Sequence, residues 1–98
     1  MFTNEACAAM SLGKCLEIHY SGFSRVVEVH AVGYSTAGNP VMRVWQIRGG
    51  SVSNEPVGWK LMRLDEAVSV GQLAEASQAP RPGYRPGDRG MSQILGQL

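Results

Sequence analysis

Lys14-Cys15-Leu16-Glu17-Ile18-His19-Tyr20-Ser21-Gly22-Phe23-Ser24-Arg25-Val26-Val27-Glu28-Val29-His30 is the stretch that decides the fold. Leu16, Ile18 and Tyr20 alternate with Cys15, Glu17 and His19, the period-two pattern of a strand with one covered face. Ser21-Gly22-Phe23-Ser24 reads as a turn, and a second strand runs from Arg25 to about Tyr34, with Val27, Val29 and Ala31 on one side. A four-residue loop would pair Tyr20 with Arg25, Ile18 with Val27 and Leu16 with Val29, which gathers the apolar residues on one face of a hairpin.

Working outward, the same punctuation continues. Thr3 or Asn4 is placed to cap a short helix through Ala8, Ala9 and Met10, with Gly13 as its stop. After the hairpin, Ser35 to Pro40 is turn chemistry, and a third strand is predicted from Val41 to about Arg48. Gly49-Gly50 and a polar loop through Pro56 follow, then a fourth strand at about Trp59–Leu64 and a short fifth around Ala67–Val70. The expected fold is therefore mainly β: a small five-stranded, strongly curved antiparallel sheet or closed barrel behind a short N-terminal helix.

From Gln78 the composition changes. Residues 80–90 hold three prolines and three glycines, which excludes a regular helix or a central strand there. Arg81, Arg85 and Arg89 against Asp88 make this tail basic, whereas residues 1–77 carry one more acid than base. Met91, Ile94, Leu95 and Leu98 recur at helical spacing behind Asp88 as a possible cap, so a short amphipathic helix is expected near 89–98. Such a helix is marginal alone and needs a surface, either its own domain or another chain. The division reads as a β domain over 1–77 and an extended tail over 78–98.

Composition bounds the function. The chain has 98 residues and a formal net charge of +1, which fits one small domain and excludes the strong field of a dedicated non-specific nucleic-acid binder. No apolar run is long enough to span a bilayer as a helix, so no membrane partner is expected. The N-terminal residues lack the pattern of an export signal, and two cysteines, Cys7 and Cys15, then predict reduced thiols in a cytoplasmic protein. There is no G-x-S-x-G elbow, phosphate loop or H-E-x-x-H pair, so no catalytic residue and no cofactor is assigned. Gly49-Gly50 leads into Ser51-Val52-Ser53 and reads as a turn.

Two clusters deserve a chemical reading. Arg25, Arg43, Arg48, Lys60 and Arg63 lie on predicted strands, where they either converge to bind a phosphate or carboxylate or simply solubilise the exterior. Trp45 or Trp59 beside them could stack a base, although a domain of this size is expected to use its tryptophans in the core. In the inferred hairpin register Cys15 opposes His30 and Glu17 opposes Glu28, with His19 nearby. Those are zinc-ligand types, but without paired-ligand spacing the set reads as a solvated face and no metal is assigned.

The order of these segments resembles the bacterial WYL-like domain family over about residues 5–70. Glu17-Ile18-His19-Tyr20 followed by Arg25-Val26-Val27-Glu28-Val29 resembles that family's strand ending in Tyr, its turn and its Arg-led strand. Lys60-Leu61-Met62-Arg63-Leu64-Asp65 resembles its basic-x-Phe-Arg-Leu-Asp segment, with Met62 in place of the aromatic. The Trp-Tyr-Leu triplet is absent, and Val41-Met42-Arg43 or Trp45-Gln46-Ile47 stands in its neighbourhood. The resemblance implies an Sm-like barrel and a non-enzymatic regulatory module that binds an anionic small molecule or nucleic acid. The competing expectation is an assembly element: Met91, Ile94, Leu95 and Leu98 of the tail dock a protein partner or a second copy.

Overall fold

The computed structural model describes residues 2–98. Helix α1 spans Thr3–Leu12 and ends at Gly13, whose left-handed φ of 66° turns the chain directly into the sheet. The expected side-chain cap is not formed; Phe2 holds the N-cap position, and its carbonyl accepts the Ala6 N–H. Ala6 and Ala9, three residues apart on one side of α1, are fully buried, and their small size lets the helix backbone lie close on the sheet.

Six antiparallel strands follow: β1 (Lys14–Tyr20), β2 (Phe23–Tyr34), β3 (Pro40–Gly49), β4 (Gly58–Arg63), β5 (Ser69–Ala76) and β6 (Gln93–Gln97). A single 3-10 turn, Leu64–Glu66, links β4 to β5. The sheet order is β4-β3-β2-β1-β5, with β6 joined to β2. β4 and β5 end the path and do not pair with each other among the described residues, so the sheet is open.

Strand β2 organises the molecule. One edge pairs with β3 along most of its length; the other pairs first with β1, through Phe23–Val27, and then with β6, through Ala31–Tyr34. Two register shifts against β3 bend it, so a strand that would run about 36 Å if straight lies within a molecule of 28 × 24 × 24 Å. The second shift, between Val29 and Ala31, also re-aims side chains. Val29 and Val32 join the core beneath α1, while His30 and Ala31 face the opposite side.

The core beneath α1 is formed by Leu16, Ile18, Val27, Val29, Val32, Met42, Val44, Met62 and Leu64 with Ala6 and Ala9, all essentially inaccessible to solvent. The opposite face is covered by residues 78–91, which return across β2, β3 and β4 and deliver the chain to β6.

Several sequence expectations need correction. The hairpin turn is Ser21-Gly22, and the true register pairs Tyr20 with Phe23, Ile18 with Arg25 and Leu16 with Val27. The displacement is two residues, an even number, so the apolar residues keep their face while every cross-strand partner changes. The fifth strand is longer than expected and lies further along the chain. The helix expected near 89–98 is instead strand β6, the sixth strand of the sheet. Beyond the end of β1 the edge of β2 offers unpaired backbone groups, and a five-residue strand satisfies them where a short isolated helix would have no support.

A candidate ligand pocket beneath the tail

Glu28 and His30 lie on the strand face that alternation marks as solvated, yet they are 1% and 0% exposed. The tail is what buries them. Glu28 Oε1 accepts from Arg81 Nε at 2.6 Å, and Oε2 accepts from Arg81 Nη2 at 3.2 Å and from the Gln78 N–H at 2.6 Å. A buried carboxylate is costly unless its lone pairs are taken, and here both oxygens are engaged. Arg81 in turn stacks over Trp45, 5.7 Å from the ring centre.

His30 is fixed at both nitrogens. Nδ1 lies 2.9 Å from the Glu28 carbonyl oxygen, which can only accept; Nε2 lies 2.9 Å from the Arg81 backbone N–H, which can only donate. The ring is therefore the neutral Nδ1–H tautomer. Burial lowers its pKa from the ordinary 6.5, and the Glu28 carbonyl and carboxylate oppose that shift.

Beside His30 an aromatic cluster forms. Trp59 meets the imidazole edge-on at 4.7 Å, Tyr84 lies 5.2 Å from it, and Trp45 meets Trp59 edge-on at 5.3 Å. The tryptophans are thus half-buried on the tail side and are not part of the core beneath α1, contrary to the expectation for the largest apolar side chains. Next to this cluster is an open pocket of about 230 Å³ lined by Arg43, Trp59, Gly83, Tyr84, Arg85 and Asp88. Arg43 closes one side by a two-point ion pair with Asp88, Nε–Oδ2 at 2.5 Å and Nη2–Oδ1 at 3.1 Å. Hydrogen bonding from Arg43 holds the Asp88 carboxyl below its usual range, assisted by the Gly90 N–H. Asp88 is therefore a strut of the pocket and caps no helix.

The five basic strand residues do not converge. Arg43 lines the pocket. Arg25 is 4% exposed between the Tyr20 and Phe23 rings at the end of the other face, where its buried Nε has no hydrogen-bond partner among the described residues. Arg48 pairs with Glu75 at the surface; Lys60 donates to Ser51 and Ser53; Arg63 pairs with Asp65 and Glu66 and reaches Asn39. Arg85 and Tyr84, which sequence reading passed over, are the tail's contribution to the pocket. The only sequence signal for them was the basic, Pro/Gly-rich character of the tail itself.

The apolar stripe of the tail is split by the strand geometry. Met91 is buried against Ala31 and Val41, with Ile94 packed beside it, while Leu95 and Leu98 are 45% and 41% exposed. Cys15 and His30 are not cross-strand neighbours in the true register; the Cys15 thiol is directed to the Ala76 carbonyl, 3.6 Å away. Among the described residues no three His, Cys, Asp or Glu side chains gather closely enough to hold a metal ion. No protein-family model, curated protein or solved structure matches this chain.

Proposed function

We propose that this protein is a non-enzymatic binding module, and that its ligand is a small, flat, anionic molecule held in the pocket between β3, β4 and the tail. The observation that carries this reading is that two aromatic residues, Trp59 and Tyr84, and two arginines, Arg43 and Arg85, line one opening. Aromatic faces favour a planar ring, and a guanidinium offers two parallel donors to a carboxylate or phosphate. Arg43 already shares its donors with Asp88, so Arg85, which has no carboxylate partner among the described residues, supplies the anion contact. A pocket of about 230 Å³ holds a single ring system with one acidic group.

A small molecule fits this surface better than a nucleic acid strand. Strand binding needs a row of free cations along a groove, whereas Arg43, Arg48, Arg63 and Arg81 are each matched by a carboxylate. The order of a short helix and curved antiparallel strands supports carrying the WYL-like, Sm-like reading forward as part of this proposal, with a regulatory rather than catalytic output.

Titration with benzoate, a nucleoside monophosphate, inorganic phosphate and a single-stranded oligonucleotide, followed by tryptophan fluorescence, tests the idea. The expected result is saturable quenching by one of the two ring-bearing anions, weakened about tenfold by Arg85→Ala and unchanged by Arg48→Ala. Phosphate alone should bind more weakly. Absence of saturable binding by either ring-bearing anion, or tight salt-sensitive binding of the oligonucleotide alone, overturns it.

A further inference from the structure

The tail side of the sheet carries a charge and proton arrangement that pocket lining does not require. The imidazole of His30 sits where the tail backbone, the strand that carries the buried carboxylate and the aromatic cluster meet. From β2 it faces Glu28; from the tail it faces the Arg81 N–H and guanidinium and the Tyr84 ring; from β4 it faces Trp59. Just past β6, the Leu98 N–H donates to the His30 backbone carbonyl. Arg43 and Asp88 stand further along the same face, paired with each other.

We infer that residues 78–91 form a latch over the sheet that the neutral His30 ring holds shut and that protonation of His30 releases. The acceptor lone pair on Nε2 is the element that changes. Once it carries a proton, two N–H donors confront each other at 2.9 Å, and a second positive charge enters beside the Arg81 guanidinium. Glu28 can answer one of those charges, but both of its oxygens are already occupied by Arg81 and Gln78. The relaxed arrangement moves the Arg81 backbone away from the ring, and Gly83, Tyr84 and Arg85 follow because they are the next residues of the same segment.

Burial adds the direction. A pKa lowered on folding means that the docked tail contributes stability fully above the ordinary histidine value of about 6.5, and loses it progressively as the pH falls below that value. Acidification thus dismantles the tail wall of the pocket, while the eleven buried residues named for the core beneath α1 include no ionisable side chain. The consequence for a bound anion rests on the pocket proposed above, but the latch does not: release can be followed without ligand, so the two readings fail separately.

The experiment is amide hydrogen exchange by NMR on the full chain at about pH 7.5 and about pH 5, corrected for the intrinsic rate, comparing the Arg81 amide with the Val44 amide of the core strand. Protection of Arg81 is expected to fall about tenfold or more at the lower pH, with Val44 unchanged. In His30→Gln, whose amide oxygen can accept the Arg81 N–H without titrating, the protection should be retained and flat with pH. A loss of equal size in His30→Gln, or no loss in the wild type, overturns the latch. A second reading needs no variant: imidazole nitrogen shifts should report the neutral Nδ1–H tautomer at neutral pH. A ring that is protonated while the Arg81 amide stays protected also overturns it.

Discussion

The two faces of the sheet are covered by different physics. Under α1, eleven buried residues contribute no polar side chain, and the face is held by removal of apolar surface from water. Under the tail, Glu28, His30 and Arg43 are matched one by one by Arg81, a backbone N–H and Asp88, with aromatic rings filling the space between. The first cover is non-directional and indifferent to pH. The second depends on the protonation and geometry of a few groups, and on the proposed latch it opens while the domain stays folded.

That contrast makes an ordered set of predictions. The largest loss of stability should come from the helix side. Leu16→Ala leaves a cavity at a fully buried position and should cost about 3 kcal/mol, with the same penalty at pH 5 and pH 7 in denaturant titrations. Glu28→Ala should come next. It strips the partners of Arg81 and Gln78 at once, for an expected cost of about 2 kcal/mol, and tail amides should lose protection while core amides keep theirs. If the whole chain instead unfolds in one step as readily as for Leu16→Ala, the separation of the two faces is wrong.

How much of this the sequence displayed follows from the same distinction. Alternation in Leu16, Ile18, Val27 and Val29 reveals an apolar face because each residue carries its own burial preference. That pattern survives even a two-residue error in hairpin register. Glu28 and His30 carry the opposite preference, and their burial depends on partners some fifty residues away. No local rule reports such a partner. For the same reason Arg85 and Tyr84 could not be distinguished from other tail residues, and Arg43 could not be separated from Arg48 or Arg63. The strand β6 was hidden differently: Ile94 and Leu95 suit either period over so short a segment, and only the free edge of β2 decides between them.

That edge gives the next test. Gly33 lies where β6 docks, and a methyl group there would collide with the Gln93 backbone and press on Met91 Sδ, 3.0 Å away. Gly33→Ala should therefore displace β6 and expose Met91, seen as lost protection at Ile94 and Gly96, while α1 and its core stay in place. A smaller effect is expected at Asp88→Asn, about 1 kcal/mol, because Arg43 is partly exposed. The Asp88 carboxyl has a lowered pKa, so its contribution is present above the ordinary aspartate value and is lost as the pH falls through its folded value. The loss tied to His30 starts below the ordinary histidine value of about 6.5 and that tied to Asp88 only below the ordinary aspartate value, so on acidification the His30 loss should set in first.

The smallest effect belongs to Arg48. Its two-point contact with Glu75 has the same chemistry as Arg81 with Glu28, with bonds of 2.6 and 3.0 Å. The difference is solvent: both partners of the Arg48 pair are exposed, whereas Glu28 is buried. In water the attraction is screened, and ordering two long side chains offsets most of what remains. Arg48→Ala should thus leave the denaturation midpoint and the Arg81 amide protection unchanged. A measurable loss on Arg48→Ala would mean that the ion pair alone, not the covered face it sits on, sets the strength of these contacts, and the tail would then need no burial to stay closed.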